Sequence, residues 1–139
     1  MTSACCSPLV VSEKIIFSPA GETKATIHVF TDTSCGYCKQ LHADLDYLLE
    51  RGIEVRYLAF PRGGERAESY ENMVSVWCSA DRNEALTLAK NEQDMLQIEC
   101  DNPVLEHYRL GTRLGVSGTP ALVMPDMTVI PGYIGKERL

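Results

Sequence analysis

The sequence predicts an α/β domain, a mixed central sheet flanked by helices, and three observations carry that reading. The alternating, β-branched run Ala25-Thr26-Ile27-His28-Val29-Phe30-Thr31 leads almost directly into Cys35-Gly36-Tyr37-Cys38, which in turn opens a helical pattern. A second strand-like run, Ile53 to Phe60, follows that helix, so the two strands form a parallel βαβ unit with a right-handed crossover. Far downstream, Val116-Ser117-Gly118-Thr119-Pro120 introduces two short strands around a tight turn, which read as an antiparallel hairpin.

Taken in order, residues 1–13 read as a disordered lead-in and residues 14–139 as one domain. A chain of 139 residues is long enough to bury a core of its own. Ile15-Ile16-Phe17, closed by Pro19-Ala20-Gly21, is an edge strand and turn. From Gly36 to Arg51 the apolar positions Leu41, Leu45, Leu48 and Leu49 fall at helical spacing, in phase with Cys38. Gly52 stands where a helix-ending glycine belongs. This phase turns Cys38 toward the core and leaves Cys35 at an exposed tip. Residues 65–80, 82–91 and 102–114 carry helical patterns interrupted at Asp81 and at Cys100-Asp101-Asn102-Pro103, and form a helical insertion. Residues 121–124 and 128–130 are the hairpin strands, with the turn at 125–127.

Composition narrows the function. The formal charge of −6 leaves no basic footprint, which excludes nucleic acid as a partner class. No apolar run approaches membrane-spanning length, so no membrane insertion is expected. Met1 to Glu13 hold no basic stretch and nothing more apolar than Leu9-Val10-Val11, so no secretory signal is expected within this chain. Six cysteines nevertheless point to an oxidising compartment.

A lone C-x-x-C is ambiguous between half a zinc site and a redox dithiol. Zinc needs two further ligands at close spacing. Cys78 and Cys100 stand far apart, Cys5 and Cys6 are adjacent, and the three histidines are scattered. The expectation is therefore no metal and no cofactor. The strand-to-helix placement is the one a redox dithiol requires: the unpaired N–H groups of the first helical turn stabilise a thiolate on the first cysteine. Cys35 is the expected nucleophile, with a pKa below that of an ordinary thiol. Cys38 is the shielded cysteine that resolves the mixed disulfide. Gly36 and Tyr37 carry no charge, so this reading rests the shift on backbone alone.

Thr119-Pro120 is expected to be the other half of the site. A proline in a strand-forming run loses a ladder donor, and a cis peptide would present the Thr119 backbone to an extended client beside Cys35. Gly36, Tyr37, Thr119 and Pro120 are thus the candidate substrate-binding residues. Cys78 and Cys100 flank the insertion; they are either two buried thiols or, as favoured here, a bridge contributing roughly 3 kcal/mol. Trp77 is expected to pack on that bridge. Asp32, three residues before the dithiol, either modulates Cys35 or, as favoured here, holds the loop, and His42 either contacts the site or, as favoured here, is a surface histidine. Cys5 and Cys6 receive no role.

Several blocks together resemble one family. Phe30-Thr31-Asp32, Cys35-Gly36-Tyr37-Cys38, Val55 to Arg62, Trp77-Cys78, Leu114 to Ala121 and Pro131-Gly132-Tyr133 are similar to the catalytic domain of bacterial periplasmic disulfide isomerases of the DsbC/DsbG type, within the thioredoxin superfamily. The resemblance implies a thioredoxin-like fold with a helical insertion, a catalytic Cys35–Cys38 pair, a cis Pro120, a structural Cys78–Cys100 bridge and a periplasmic location. Its implied substrates are misoxidised secreted proteins, reshuffled or reduced, with a membrane-linked thiol reductant as redox partner. Members of that family dimerise through an N-terminal domain and end in a helix that packs on the sheet. Residues 1–13 do not resemble the former, and Gly135 to Leu139 match at most the first turn of the latter. A monomer or weak self-association is therefore expected, with weaker client binding for want of a linked second site and bare apolar sheet surface. Two other readings are a monomeric dithiol oxidase and a client-binding holdase module. The reduction potential separates the first, and aggregation suppression that survives loss of Cys35 separates the second.

Overall fold

The computed structural model describes residues 14–33, 35–66, 69–90 and 100–132. The lead-in with Cys5 and Cys6, and the segment from Tyr133 to Leu139, lie outside the described residues. The strands are β1 (Ile15–Phe17), β2 (Ala25–Thr31), β3 (Ile53–Ala59), β4 (Ala121–Val123) and β5 (Val129–Pro131), and the helices are α1 (Gly36–Ala43), α2 (Leu45–Glu50), α3 (Tyr70–Cys78), α4 (Arg82–Lys90) and α5 (Val104–Arg113). The five strands form one mixed sheet in the order β1-β3-β2-β4-β5. Only β2 and β3 run parallel, in register from Ala25 opposite Ile53 to Thr31 opposite Ala59. The remaining pairs are antiparallel. Both parallel strands therefore end at the same edge of the sheet, and the dithiol follows the first of them.

Strand alternation sorts side chains onto two faces. Ile27, Val29, Val55 and Tyr57 join Leu41, Leu45 and Leu48 in the main core, together with Met73, Trp77 and Leu86 from α3 and α4. On the other face Phe30, Leu58, Ala121 and Val123 meet Phe60, Leu110 and Val116 under α5. Farther from the dithiol that second face turns polar. Lys14 lies 3.2 Å from His28, and Glu54 takes hydrogen bonds from Thr26 and Arg56. Burial, followed by the nearby Lys14 and Arg56 charges, brings the His28 pKa down to about 4, so its imidazole is neutral at ordinary pH.

The helix foreseen over residues 36–51 breaks at Asp44 into α1 and α2. Asp44 has φ −91° and ψ 6°, and its N–H is shared between the Gln40 and Leu41 carbonyls. Aspartate is a poor interior helix former, and the break leaves Leu41, Leu45 and Leu48 all buried. Gly52 follows α2 with φ +81°, where the sequence placed it. Asp81, read as a breaker, is the residue that starts α4: its Oδ1 accepts the Glu84 N–H at 3.0 Å.

Two glycines, one within α5 and one just beyond its end, position the site. Gly111 packs so closely that a Cβ would stand 2.7 Å from Phe60 Cδ1 and 3.2 Å from Phe30 Cδ1. Both rings are buried and stack edge to face, so neither can withdraw cheaply. Gly111→Ala is expected to cost about 1–3 kcal/mol from overpacking, outweighing the roughly 1 kcal/mol of helix propensity it gains. Denaturant midpoints would measure the loss, and an unchanged or raised midpoint would count against this packing. Gly115 ends the same helix with φ +86°. The Val116 N–H donates to the Gly111 carbonyl at 2.9 Å and the Gly115 N–H to Thr112 at 3.1 Å, a double closure that needs a left-handed residue between. This closure aims the 116–120 loop back at the start of α1.

Candidate active site

Cys35 is the N-cap of α1, with φ −90° and ψ 123°. Its sulfur does what a serine or aspartate oxygen does at ordinary helix starts: it accepts the Cys38 N–H, at 3.2 Å. The Cys35 thiol also lies 3.2 Å from the Thr119 carbonyl, donating its S–H there while protonated. Thr119-Pro120 is a cis peptide. Residues 84 positions apart are thereby in contact through the sulfur. Cys35 and Cys38 are both thiols in this structure.

The expected exposed tip is not exposed. Cys35 retains only 3 % of its accessible surface and Cys38 none. The Thr119 loop covers the sulfur, a contact between distant segments that helical phase cannot show. Tyr37, 65 % exposed, is what stands out from the turn. Gly36 beside it has open space where a Cβ would stand. The Cys35 sulfur therefore lies between the Tyr37 turn and the Thr119 loop.

The Cys35 thiol is brought down to about 5 from an ordinary 9.0. The largest cause is hydrogen bonding from the Cys38 thiol, opposed by burial; the Thr119 side chain, the Cys38 N–H and the Arg62 charge lower it further. The Thr119 hydroxyl is buried with no hydrogen-bond partner among the described residues, which leaves it able to turn toward the sulfur. The backbone is thus one contributor among several, and the charge the sequence reading lacked comes from Arg62.

A pH dependence follows. A thiol whose pKa falls from 9.0 to about 5 on folding stabilises the reduced protein above the unfolded value and loses that stabilisation as pH drops toward 5. Reduced protein is therefore expected to gain melting temperature, relative to Cys35→Ser, as pH rises from 5 toward 9. A difference that stays flat over that range would contradict a depressed Cys35.

Asp32 explains how Arg62 arrives. It is 1 % exposed, its carbonyl accepts the Cys35 N–H at 3.0 Å, and its Oδ2 accepts both the Arg62 N–H at 2.9 Å and Arg62 Nε at 3.2 Å. The sequence did carry a signal for Arg62. It follows Pro61 just beyond β3, and β3 ends level with β2 in a parallel pair, where such sheets place their sites.

The other candidates lie elsewhere. Cys78 and Cys100 are joined by a disulfide, Cα to Cα 5.8 Å, from the end of α3 to the segment before α5. Trp77 is fully buried and meets His107 edge to face at 5.7 Å. His107, also buried, accepts the Ala59 N–H on Nδ1 at 3.1 Å and so ties α5 to the end of β3. His42 is no plain surface residue: its ring nitrogens lie 2.9 Å from the Tyr57 and Thr87 hydroxyls, bridging α1 to β3 and α4. Among the described residues no cluster of acidic, histidine or cysteine side chains could hold a metal, and no helix is long and apolar enough to cross a membrane.

Comparison with known proteins agrees with this geometry. Residues 13–139 match the thioredoxin-like domain family. The thiol:disulfide interchange protein DsbC of Salmonella typhimurium is 41% identical over 129 residues, covering 93% of this chain and 54% of that protein. DsbC of Dickeya dadantii is 43% identical over 123 residues, 88% of this chain and 52% of that protein. The chain thus spans about half the length of these relatives. Among solved structures, a disulfide interchange protein from Neisseria gonorrhoeae superposes with a TM-score of 0.80 at 29% identity, over 91% of this chain and 90% of that one. Proteus mirabilis ScsC, at 24% identity and a TM-score of 0.65, shares the fold.

Proposed function

Because the chain belongs to the thioredoxin-like domain family and is related to the DsbC interchange proteins, we propose that it catalyses thiol–disulfide exchange on protein substrates, isomerising or reducing incorrect disulfides. The observation that carries this reading is a Cys35 sulfur held between the Cys38 N–H and the Thr119 loop, with its pKa near 5.

The steps balance as follows. The Cys35 thiolate attacks one sulfur of a client disulfide, forming a mixed disulfide and releasing the other client sulfur as a thiolate. In isomerisation a different client thiolate attacks the client sulfur of that mixed disulfide, which makes a new client bond and returns Cys35 with no net redox change. In reduction Cys38 gives up its proton and attacks the Cys35 sulfur, closing Cys35–Cys38 and releasing the client as a dithiol. Two electrons pass to the client, so a thiol reductant must reopen the pair; by resemblance to the family that reductant is membrane-linked and the compartment the periplasm. Gly36 and Tyr37 line the approach, and the Thr119 and Pro120 backbone receives the client strand.

One observation favours a second reading. A thiolate with pKa near 5 is a good leaving group, and its stability in the reduced form raises the reduction potential, as a dithiol oxidase requires. Both readings meet the same experiment: a substrate with scrambled disulfides and, in parallel, a reduced substrate, each with the potential of the Cys35–Cys38 couple fixed by a glutathione buffer. Recovery of native pairing from the scrambled substrate supports the isomerase. Turnover confined to the reduced substrate would replace that reading with the oxidase.

A further inference from the structure

Asp32 and Arg62 sit beside the nucleophile, yet no step above uses them. Asp32 is almost wholly buried, and a buried carboxylate is held only at the cost of desolvation unless it is paired. One of its oxygens takes two bonds from Arg62, one from backbone and one from Nε, while its own carbonyl takes the Cys35 N–H. A single residue thus fixes both the backbone that presents the sulfur and a cation whose side chain remains 46% exposed. We propose that Asp32 is a positioning residue for exchange: its buried carboxylate clamps the Arg62 guanidinium beside Cys35, so that Arg62 is the fixed cation the attacking thiolate faces.

The inference rests on Cys35 being the attacking thiol, and it adds that the charge of Asp32 matters through Arg62 rather than directly. The two possibilities have opposite signs. A carboxylate acting alone on the nearby sulfur disfavours the thiolate, so its removal would lower the Cys35 pKa. A carboxylate acting as a clamp favours the thiolate by holding Arg62, so its removal would raise it. Arg62 contributes to lowering Cys35, and its own pKa is raised by hydrogen bonding and charge from Asp32 and by the charges of Cys35 and Cys38, with burial opposing. Among the described residues, the groups that act on the sulfur are Cys38 from α1, Thr119 from the loop before β4, and the charge of Arg62 after β3.

The test uses the full reduced chain, iodoacetamide as the probe, mass mapping to identify the labelled cysteine, and a pH series. Arg62→Met is expected to slow Cys35 labelling near pH 5 by about two- to fivefold and move its titration upward. Asp32→Ala should move it in the same direction, and the double variant should move it no further than Arg62→Met. Asp32→Asn, which keeps acceptors but not the charge, should give a smaller upward move, and it carries the test if the alanine variant fails to fold. Added salt should shrink the Arg62→Met effect, because a half-exposed charge is screened. A downward move in the Asp32 variants, or no response to Arg62→Met, overturns the clamp. Labelling of Cys38 ahead of Cys35 in the unmodified protein would instead overturn the proposed nucleophile itself.

Discussion

Cys38→Ser is expected to accumulate covalent protein–client adducts, while Cys35→Ser loses exchange down to the uncatalysed background. The difference follows from where the two sulfurs lie. Cys38 has no exposed surface, so a client disulfide cannot reach it. Its neighbour Cys35 lies at the head of the helix, keeps 3 % of its accessible surface and touches the Thr119 loop through its sulfur. Once Cys35 has joined a client, only an intramolecular attack by Cys38 or an attack by another client thiol releases it. Serine at position 38 removes the first route and leaves the second, so isomerisation slows rather than vanishes and dead-end adducts build up. Serine is the informative replacement because its hydroxyl can still donate to the Cys35 sulfur, the largest influence holding that pKa down; alanine would alter nucleophile and resolution together. Non-reducing electrophoresis with mass mapping of the adduct gives the readout. Residual turnover in Cys35→Ser comparable to the unmodified protein, or an absence of adducts in Cys38→Ser, would refute the proposed division of roles.

The second large effect is on stability. Replacing Cys78 and Cys100 together by alanine is expected to cost about 2–5 kcal/mol, the usual result of removing a native bridge from a small domain. The bridge spans 22 positions and closes over α4. In its absence the unfolded chain regains the freedom of that loop. The native cost should spread little toward the dithiol, because α3 is held independently: Trp77 meets His107, and His107 bonds the end of β3. The Cys35 labelling profile should therefore stay where it is while the denaturant midpoint falls. A loss under about 1 kcal/mol would mean that the unfolded chain is already restricted there.

Much of the fold is legible from local pattern. The β-branched run of β2 and the alternation of β3 are short-range signals, and a helix between them leaves one favoured handedness. The hairpin carries Pro125-Asp126-Met127 between two apolar runs, and the structure turns there, with the Met127 N–H returning to the Met124 carbonyl at 2.8 Å. Elsewhere the pattern misleads. The heptad-like leucines of residues 41–49 continue across Asp44 and read as one helix, because side-chain periodicity tolerates a break that the backbone makes. His42 lies on the flank of that apolar stripe, and nothing within α1 discloses that Tyr57 and Thr87 approach it.

By itself the sequence determined the order of elements, the placement of a dithiol at a strand-to-helix junction and the chemistry such a junction supports. Each of these depends on neighbours within a few residues, where spacing and propensity act directly. Only the tertiary structure decided how accessible and how acidic Cys35 is. Its cover comes from Thr119 and its fixed cation from Arg62, held by Asp32. Those partners come from three separate segments, and the sulfur's environment is the sum of their dipoles and charges within a few ångströms. Coulomb interactions and desolvation depend on distance in space, which a linear pattern encodes only once the sheet has brought its strand ends together.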